Sequence, residues 1–239
     1  MEATLDLKSA FDSMKPKELV WNKSDDRNKL DFTYTKLFSK PIADELYRQL
    51  KKCKLKKIKR KLELAPKDER PRKSCLKTIK EESIDEYIPR PKKRIVCTNR
   101  SIRYDFTESP LPAMPWIPAL ELTRNLLERI TKYRYNCVVI KKYKNGIDHL
   151  NEYTEEEDMQ SLSVPFAILS LGGTREFLLR HKSFDFSANN LNQVKIVLQH
   201  GSLILMNPLH YKQWHHALPR SYTRNGTRMS LIFKRITFT

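Results

Sequence analysis

Residues able to carry chemistry are concentrated in five blocks between Tyr143 and the C-terminus. The blocks are YKNGIDHLNEYTEEE (143–157), VPFAILSLGGTREFLLRHK (164–182), HGSLILMN (200–207), WHHALP (214–219) and RMSLIFKR (228–235). They combine histidines, carboxylates and arginines, the groups that bind metals and anions. The chain has five glycines and no GxGxxG, GxxxxGK[ST], GxSxG or HExxH, so four common enzyme signatures are absent. Its four cysteines form no CxxC pair, which argues against a disulfide framework and a structural zinc site.

The order and spacing of these blocks resemble the AlkB family of iron- and 2-oxoglutarate-dependent dioxygenases. The branch of the second and third animal AlkB homologues, which remove alkyl groups from DNA and RNA bases, is the most similar. The resemblance runs from about Leu30 to the end of the chain, apart from a lysine-rich insertion. It implies a mainly β fold with flanking helices. The expected architecture is a double-stranded β-helix (jelly roll) with an N-terminal α/β lid and a disordered basic insertion.

The positions that the resemblance assigns to the metal ligands are altered. The family has His and Asp where this chain has Tyr153 and Glu155, whereas the distal histidine is retained as His216. Ferrous iron in such sites takes two imidazoles and one carboxylate. A neutral phenol with a pKa of about 10 is a poor substitute, and Glu155 carries one methylene more than Asp. Two arrangements stay open: a degenerate site without iron, or an unorthodox set of Tyr153, Glu155 and His216, with His149 as a substitute ligand.

The positions that the resemblance assigns to 2-oxoglutarate are partly retained. Arg228 and Tyr143 match the residues that hold the distal carboxylate of 2-oxoglutarate. Lys141 and Ser230 replace two family asparagines, and Lys234 replaces an arginine. Lysine keeps the charge of arginine but loses its planar fork. The alternative interpretation of Arg228 is an ordinary charge at the end of a strand.

Two aromatic residues and one acid match the family's base-binding pocket. Tyr104 and Phe106 lie two residues apart, so on a strand both rings would face the same side and could stack on a base. Glu157 matches an acidic residue close to that pocket. The alternative is that both rings belong to the core.

The excess positive charge lies in one segment. Residues 51–95 hold 18 Lys and Arg against 7 Asp and Glu, so +11 of the chain's net charge of +18 falls within 45 residues. Neutralising phosphates releases counterions, so this segment favours nucleic acid as a partner; a nuclear-import signal or a solvated tail are the alternatives. The predicted backbone contacts are Lys51, Lys52, Lys54, Lys56, Lys57, Lys59, Arg60, Arg90, Lys92, Lys93 and Arg94.

The elements that position these residues follow from periodicity. Apolar runs at 137–143, 166–171, 176–179, 194–198, 202–206 and 228–233 predict strands, and helices are predicted over about 41–52 and 118–133. The four prolines of Ser109–Pro118 predict a packed turn. We expect residues 1–30 to be mostly flexible, residues 31–239 to form one AlkB-like domain that includes a flexible insertion at 51–95, and residues 135–239 to form the jelly-roll core.

These patterns lead to three functional hypotheses. The first is a nucleic-acid-binding pseudoenzyme with no cofactor. The second is an active dealkylase of DNA or RNA that uses Fe(II) and 2-oxoglutarate, and the third is an adaptor for an acidic chromatin protein. Residues 1–20 lack the apolar core of a secretory signal and no run of about 18 apolar residues occurs, so we expect no membrane partner. A monomer in the nucleus, or in the cytoplasm, is the expectation.

Overall fold

The structure is a computed structural model that describes residues 5–15, 22–23, 30–52, 93–98, 103–104, 111–153, 164–182, 193–207, 213–223 and 226–236. The helices are α1 (Leu7–Ser13), α2 (Lys40–Lys52) and α3 (Pro118–Thr131). The strands are β1 (Asn22–Lys23), β2 (Phe32–Lys36), β3 (Lys93–Thr98), β4 (Arg103–Tyr104), β5 (Leu111–Met114), β6 (Cys137–Tyr143), β7 (Leu150–Tyr153), β8 (Phe166–Gly172), β9 (Arg175–His181), β10 (Gln193–Leu198), β11 (Ser202–Met206), β12 (Trp214–Leu218) and β13 (Arg228–Lys234).

The strands of the described residues form two sheets. The large sheet has the order β1-β2-β11-β8-β13-β6-β3-β5-β4, and the small sheet has the order β10-β9-β12-β7. Of the eight strands from β6 to β13, four (β6, β8, β11 and β13) belong to the large sheet and four (β7, β9, β10 and β12) form the small sheet. Within each set of four, neighbouring strands are antiparallel. This arrangement is the predicted jelly roll, and it confirms the mainly β fold with flanking helices.

The helices cover one face of the large sheet. Apolar residues at helical spacing on α2, Ala43, Leu46 and Leu50, are buried in the same core as Leu126 and Leu127 of α3. Helix α3 begins with Pro118 and ends at Thr131, and the left-handed backbone of the next residue, Lys132, is typical of a helix C-terminus. The two longer helices therefore lie close to where the sequence predicts them.

The opposite face of the large sheet packs against the small sheet. This second core contains Phe166 and Ile168 from β8, Phe177 from β9 and Trp214 from β12. Side chains alternate along each strand, so every second residue of β6, β8 and β13 faces this core. The polar residues that interrupt the apolar pattern on this face form the candidate site.

Two predictions about the elements are wrong, and a third stays a prediction. Residues 1–30 are expected to be mostly flexible, and within them the structure describes α1, which is capped by Asp6 and buries Leu7 and Phe11. The basic insertion does not extend to residue 95, because β3 begins at Lys93 and pairs with β6 along its whole length. Part of the proline-rich turn is the strand Leu111–Met114, which pairs with β3 and with β4 near one edge of the sheet, where proline is tolerated.

None of the helices within the described residues is both long and apolar enough to cross a membrane.

Candidate functional site between the two sheets

A buried arginine stands at the centre of the site. Arg228 begins β13 and is 1% exposed. Its guanidinium donates to the Ser170 hydroxyl over 2.9 Å and more weakly to the Leu198 carbonyl over 3.4 Å. Among the described residues no carboxylate lies within ion-pairing distance, and the buried Nε has no hydrogen-bond partner. Burial lowers the pKa of Arg228 to about 10, so the side chain is still a cation at neutral pH.

The sheet register brings the other predicted 2-oxoglutarate residues to Arg228. Tyr143 is the cross-strand partner of Arg228, and Lys141 is the cross-strand partner of Ser230. All four side chains line one cleft, which is partly open to solvent. The remaining lining residues are Leu150, Ile168, Phe177, Leu198, His216, Leu218 and Ile232. The cleft is therefore an apolar pocket with a few convergent polar groups, the usual form of a small-molecule site.

Lys234 lies on the same face of β13 but further along the strand. It is buried, and its ammonium group sits 5.0 Å from the centre of the Phe166 ring, in cation–π geometry. It is not among the residues that line the cleft. Its predicted contact with 2-oxoglutarate stays a prediction.

Of the three predicted metal positions, the structure describes one side chain. His216 is buried on β12, lines the cleft and packs with its ring centre 6.1 Å from that of Phe177. Tyr153 ends β7 directly opposite His216, and the pairing becomes irregular between His216 and Leu218. Such bulges often occur beside functional sites. Glu155 lies outside the described residues, which contain no group of three or more His, Cys, Asp or Glu side chains able to hold a metal.

Two other histidines near this region are not among the residues that line the cleft. His215 is less buried than its neighbour His216, as the alternation of a strand predicts. His149 is buried, and its Nδ1 lies 2.9 Å from the Ile147 carbonyl oxygen and 3.3 Å from Nε of Arg220. His149 is not among the cleft-lining residues, so the described structure offers no support for it as a substitute ligand.

Sequence reasoning missed the role of a second buried arginine, Arg175. Its guanidinium donates to the carbonyls of Asn145 (3.1 Å), Asp148 (3.0 Å) and Pro219. It thereby joins the loop after β6 to the segment after β12. Burial lowers the pKa of Arg175. The sequence carries one signal for this role. Arg175 stands two residues before Phe177 and four before Leu179, so on a strand all three side chains share the buried face.

Most of the predicted nucleic-acid contacts fall outside the part of the chain that the structure describes. Phe106 and Glu157 are among them, and Tyr104 is described only as a residue of β4, paired with Leu111. Lys51 is exposed at the end of α2, Lys52 is the last residue of that helix, and Lys93 and Arg94 are residues of β3. The rest of the predicted basic contacts, Lys54, Lys56, Lys57, Lys59, Arg60, Arg90 and Lys92, lie outside the described residues.

Comparison with known proteins identifies the class of this fold and site. The sequence model of the 2OG-Fe(II) oxygenase superfamily matches residues 32–239, and the chain therefore belongs to this superfamily. Within the superfamily it is a member of the AlkB family, as its relatives show. "DNA oxidative demethylase ALKBH2" of Homo sapiens is 30% identical over 88% of this chain and 75% of its own length. The protein of the same name from Bos taurus is 30% identical over 87% of this chain and 69% of its own length.

Two further comparisons are more distant. "Alpha-ketoglutarate-dependent dioxygenase alkB homolog 3" of Homo sapiens is 26% identical over 64% of this chain and 55% of its own length. A solved structure described as "The structure of OsALKBH1" is 17% identical, covers 54% of this chain and 69% of its own, and superposes with a TM-score of 0.38.

The superfamily takes its name from iron(II) and 2-oxoglutarate, and the described residues fit these two groups unequally. A dicarboxylate fits, because the buried Nε of Arg228 lacks a hydrogen-bond partner and its charge lacks an acid among the described residues. Iron is not matched in the same way. His216 is one imidazole donor, and a ferrous site needs a second imidazole and a carboxylate.

Proposed function

We propose that this protein binds 2-oxoglutarate in the cleft between the two sheets and acts on nucleic acid as an oxidative demethylase. The observation that carries the proposal is the buried, protonated Arg228, which has no acidic partner among the described residues. Burying a charge without a partner is costly, so such a site is typical of a protein that receives an anionic ligand. The relatives named as DNA oxidative demethylases support the nature of the reaction.

Arg228 and its neighbours account for the binding of the distal carboxylate. A guanidinium offers five N–H donors in a planar fork, and the Ser170 hydroxyl and the Leu198 carbonyl engage the two terminal nitrogens. The Ser170 contact orients the plane of the guanidinium, and the partnerless Nε leaves a donor for a carboxylate oxygen. The buried Tyr143 is the cross-strand partner of Arg228 and lines the same cleft.

Iron and 2-oxoglutarate together would supply the oxidising chemistry. His216 would be one ligand, because it is buried, lines the cleft and lies in the small sheet facing Arg228. The cross-strand pairing of Tyr153 with His216 supports a shared site at these two positions. The further ligand would come from Glu155 in the following segment.

The basic segment supports nucleic acid as the partner. Its net charge of +11 over residues 51–95 would neutralise phosphates, and Lys51 is exposed at the point where α2 ends. Because this contribution comes from released counterions, the affinity would fall steeply as salt is raised.

A second candidate function is a nucleic-acid-binding pseudoenzyme. The residue types at two of the three ligand positions favour it, since Tyr153 and Glu155 stand where a ferrous centre needs an imidazole and a short carboxylate. A phenol with a pKa of about 10 would have to lose its proton to bind iron well. The second candidate keeps the dicarboxylate cleft and the basic segment and lacks turnover.

The two candidates are separated by turnover with a binding control. The full chain is incubated with Fe(II), 2-oxoglutarate, oxygen and oligonucleotides that carry methylated bases. Succinate and demethylated bases are then measured by mass spectrometry. The demethylase proposal predicts matched amounts of succinate and repaired base, both lost in Arg228→Met. Binding of 2-oxoglutarate with no succinate and no demethylation would support the pseudoenzyme, and absence of binding would overturn both.

A further inference from the structure

The turn between β10 and β11 joins the small sheet to the large sheet close to Arg228. It consists of residues 199–201, directly after Leu198, the last residue of β10. The guanidinium of Arg228 donates to the Leu198 carbonyl in the small sheet and to the Ser170 hydroxyl on β8 in the large sheet. The orientation of the guanidinium therefore depends on how this turn is held against β8.

His200 holds the turn against the end of β8. Its Nδ1 accepts a hydrogen bond from the Gly172 N–H over 2.8 Å, and Gly172 is the cross-strand partner of Arg228. The next residue of the turn, Gly201, donates from its backbone N–H to the Ser170 carbonyl over 2.7 Å. Ser170 and Gly172, the two β8 residues that adjoin Arg228, are thus both bonded to the turn.

The other ring nitrogen of His200 is held by helix α2. Its Nε2 lies 3.0 Å from a carboxylate oxygen of Asp44, and the Tyr47 ring packs edge-on against the imidazole with ring centres 6.3 Å apart. A carboxylate accepts and a backbone N–H donates, so the two contacts fit a neutral ring with its proton on Nε2. The contact with Asp44 therefore favours the tautomer that the Gly172 N–H requires.

Protonation of His200 is incompatible with this arrangement. Both nitrogens of an imidazolium are donors, so Nδ1 can no longer accept from the Gly172 N–H. The Gly172 amide then loses its acceptor at a position directly opposite Arg228. The contact with Asp44 becomes an ion pair and keeps the ring near α2, so the bond between the turn and β8 is the one that is lost.

The groups around the ring leave His200 as the one of this cluster that changes charge in mild acid. Among the described residues, they are Lys40, Asp44 and Tyr47 of α2 and Lys36 of β2. Burial lowers the pKa of His200 below its usual 6.5, the two lysines act in the same direction, and Asp44 opposes them. A hydrogen bond from Lys40 lowers the pKa of Asp44, and burial raises the pKa of Tyr47. Asp44 therefore stays an anion and Tyr47 a neutral phenol while His200 titrates.

We propose that His200 is a positioning residue for the dicarboxylate, and that its protonation weakens 2-oxoglutarate binding by releasing the turn that orients Arg228. The inference rests on the proposed 2-oxoglutarate site and adds a proton-sensitive control to it. His200 is not among the cleft-lining residues, so it acts through Gly172 and the turn. Because the ligand-binding form has a neutral ring, 2-oxoglutarate and the proton compete. Affinity is highest where the ring is neutral and decreases as the pH falls and the ring is protonated.

The test measures 2-oxoglutarate affinity by isothermal titration calorimetry on the full chain in saturating Mn²⁺, at pH 7.5 and at pH 5.0. Wild type is compared with His200→Asn and His200→Leu. The Asn side chain has an oxygen that can accept from the Gly172 N–H but does not titrate, whereas Leu has no acceptor. Both variants lose the contact with Asp44, so the difference between them isolates the acceptor. His181→Asn is the matched control, because it removes an imidazole on β9 that does not line the cleft.

Three results are expected. From pH 7.5 to pH 5.0 the affinity of wild type and His181→Asn should fall at least about threefold more than that of His200→Asn. At pH 7.5 His200→Leu should bind at least about threefold more weakly than His200→Asn. Near pH 6, ligand binding should release more protons from wild type than from His200→Asn. The binding heats in two buffers of different ionisation enthalpy measure this release.

The possible failures are distinguishable. Equal pH dependence in wild type and His200→Asn would overturn the role of protonation and leave the proposed function standing. Equal affinity of folded His200→Leu and His200→Asn at pH 7.5 would overturn the positioning role. Absence of 2-oxoglutarate binding by wild type at both pH values would overturn the proposed function as well. Thermal unfolding checks that each variant is folded, and if His200→Leu does not fold, the comparison of wild type with His200→Asn still decides the proposal.

Discussion

Arg228 on β13 and Tyr143 on β6 are direct cross-strand partners, and both line the cleft between the sheets. Their neighbours Met229 and Lys142 form the next pair, and Met229 packs in the core on the helix side. A slip of one residue in this register would move Arg228 to the helix face. The chemistry of the cleft therefore depends on the pairing of β13 with β6 and β8.

The turn beside Arg228 holds that register through a glycine. Gly172 pairs with Arg228, has a φ of +86°, and a Cβ at this position would lie 2.2 Å from the carbonyl oxygen of Thr227. We expect Gly172→Ala to lower the free energy of unfolding by about 2 kcal/mol or more, because the strained backbone and the clash both persist. Denaturant unfolding measures the loss.

Gly226→Ala is the matched control for that prediction. Gly226 lies shortly before β13, close to Gly173. A Cβ added at Gly226 would lie 3.3 Å from the Cα of Gly173, and the φ of Gly226 is not in the left-handed region. Its loss should be less than half of that of Gly172→Ala. Equal losses would contradict a special role for the Gly172 turn.

Arg175 is expected to stabilise the two loops at the edge of the cleft. Arg175→Met removes the donor to the carbonyls of Asn145, Asp148 and Pro219 and should cost about 2 kcal/mol of unfolding free energy. Hydrogen exchange should increase at 144–149 and 219–223. Lys144→Met, which changes an exposed charge in the same loop, is the control. Unchanged exchange in both loops would contradict the loop-joining role of Arg175.

The strands of the jelly roll could be predicted because their signals are local. Strand Ser202–Met206 lies between the glycine of His200–Gly201 and the Asn–Pro pair that follows, so its limits agree with the predicted ones. The cleft residues Tyr143, Arg228 and Ser230 could be predicted only by resemblance. Their common face follows from antiparallel register, which no single segment encodes.

The elements that could not be predicted depend on tertiary contacts. Helix α1 has seven residues, too few to be stable alone, and it is held by Phe11 stacked on Phe38 with ring centres 5.1 Å apart. Strand β3 begins with two charged residues, and its pairing with β6 outweighs their low strand propensity. The role of Arg175 requires two loops that are distant in sequence to meet, so composition alone does not reveal it.

His200 is expected to make stability depend on pH. The Gly172 N–H donates to its Nδ1 over 2.8 Å, and its Nε2 lies 3.0 Å from Asp44, so the neutral ring with a proton on Nε2 fits both contacts. Burial lowers the pKa of His200 below its usual 6.5, with Lys36 and Lys40 acting in the same direction and Asp44 opposing them.

The sign of that pH dependence follows from the lowered pKa. Above about pH 6.5 the ring is neutral in both the folded and the unfolded chain, so the stabilisation is fully present. As the pH falls below that value, the unfolded chain takes up the proton first and the free energy of unfolding decreases. In His200→Asn the amide oxygen can still accept the hydrogen bond from the Gly172 N–H. Between pH 7 and pH 5.5 its free energy of unfolding, measured with urea, should therefore decrease less than that of wild type. A decrease identical to that of wild type would contradict this prediction.

Nucleic-acid binding is expected to depend on salt through the basic segment. Changing Lys56, Lys57 and Lys59 to Gln should weaken binding to a single-stranded oligonucleotide. It should also reduce the magnitude of the slope of log K against log salt by up to about 2, because fewer counterions are released when fewer phosphates are neutralised. Fluorescence anisotropy over a salt series measures both. The control changes three exposed lysines elsewhere, Lys8, Lys132 and Lys195, and an equal effect there would contradict a specific role for the segment.

The central claim is that Arg228 makes the inter-sheet cleft a dicarboxylate site, and equilibrium binding of 2-oxoglutarate tests it most directly. The full chain, Arg228→Met and the exposed-arginine control Arg235→Met are compared by calorimetry in the presence of Mn²⁺. We predict one site in wild type and Arg235→Met, and binding at least about 30-fold weaker in Arg228→Met. The melting temperature of Arg228→Met should not fall, because the change removes a buried cation with no acidic partner among the described residues. Unchanged 2-oxoglutarate affinity in folded Arg228→Met would contradict the account.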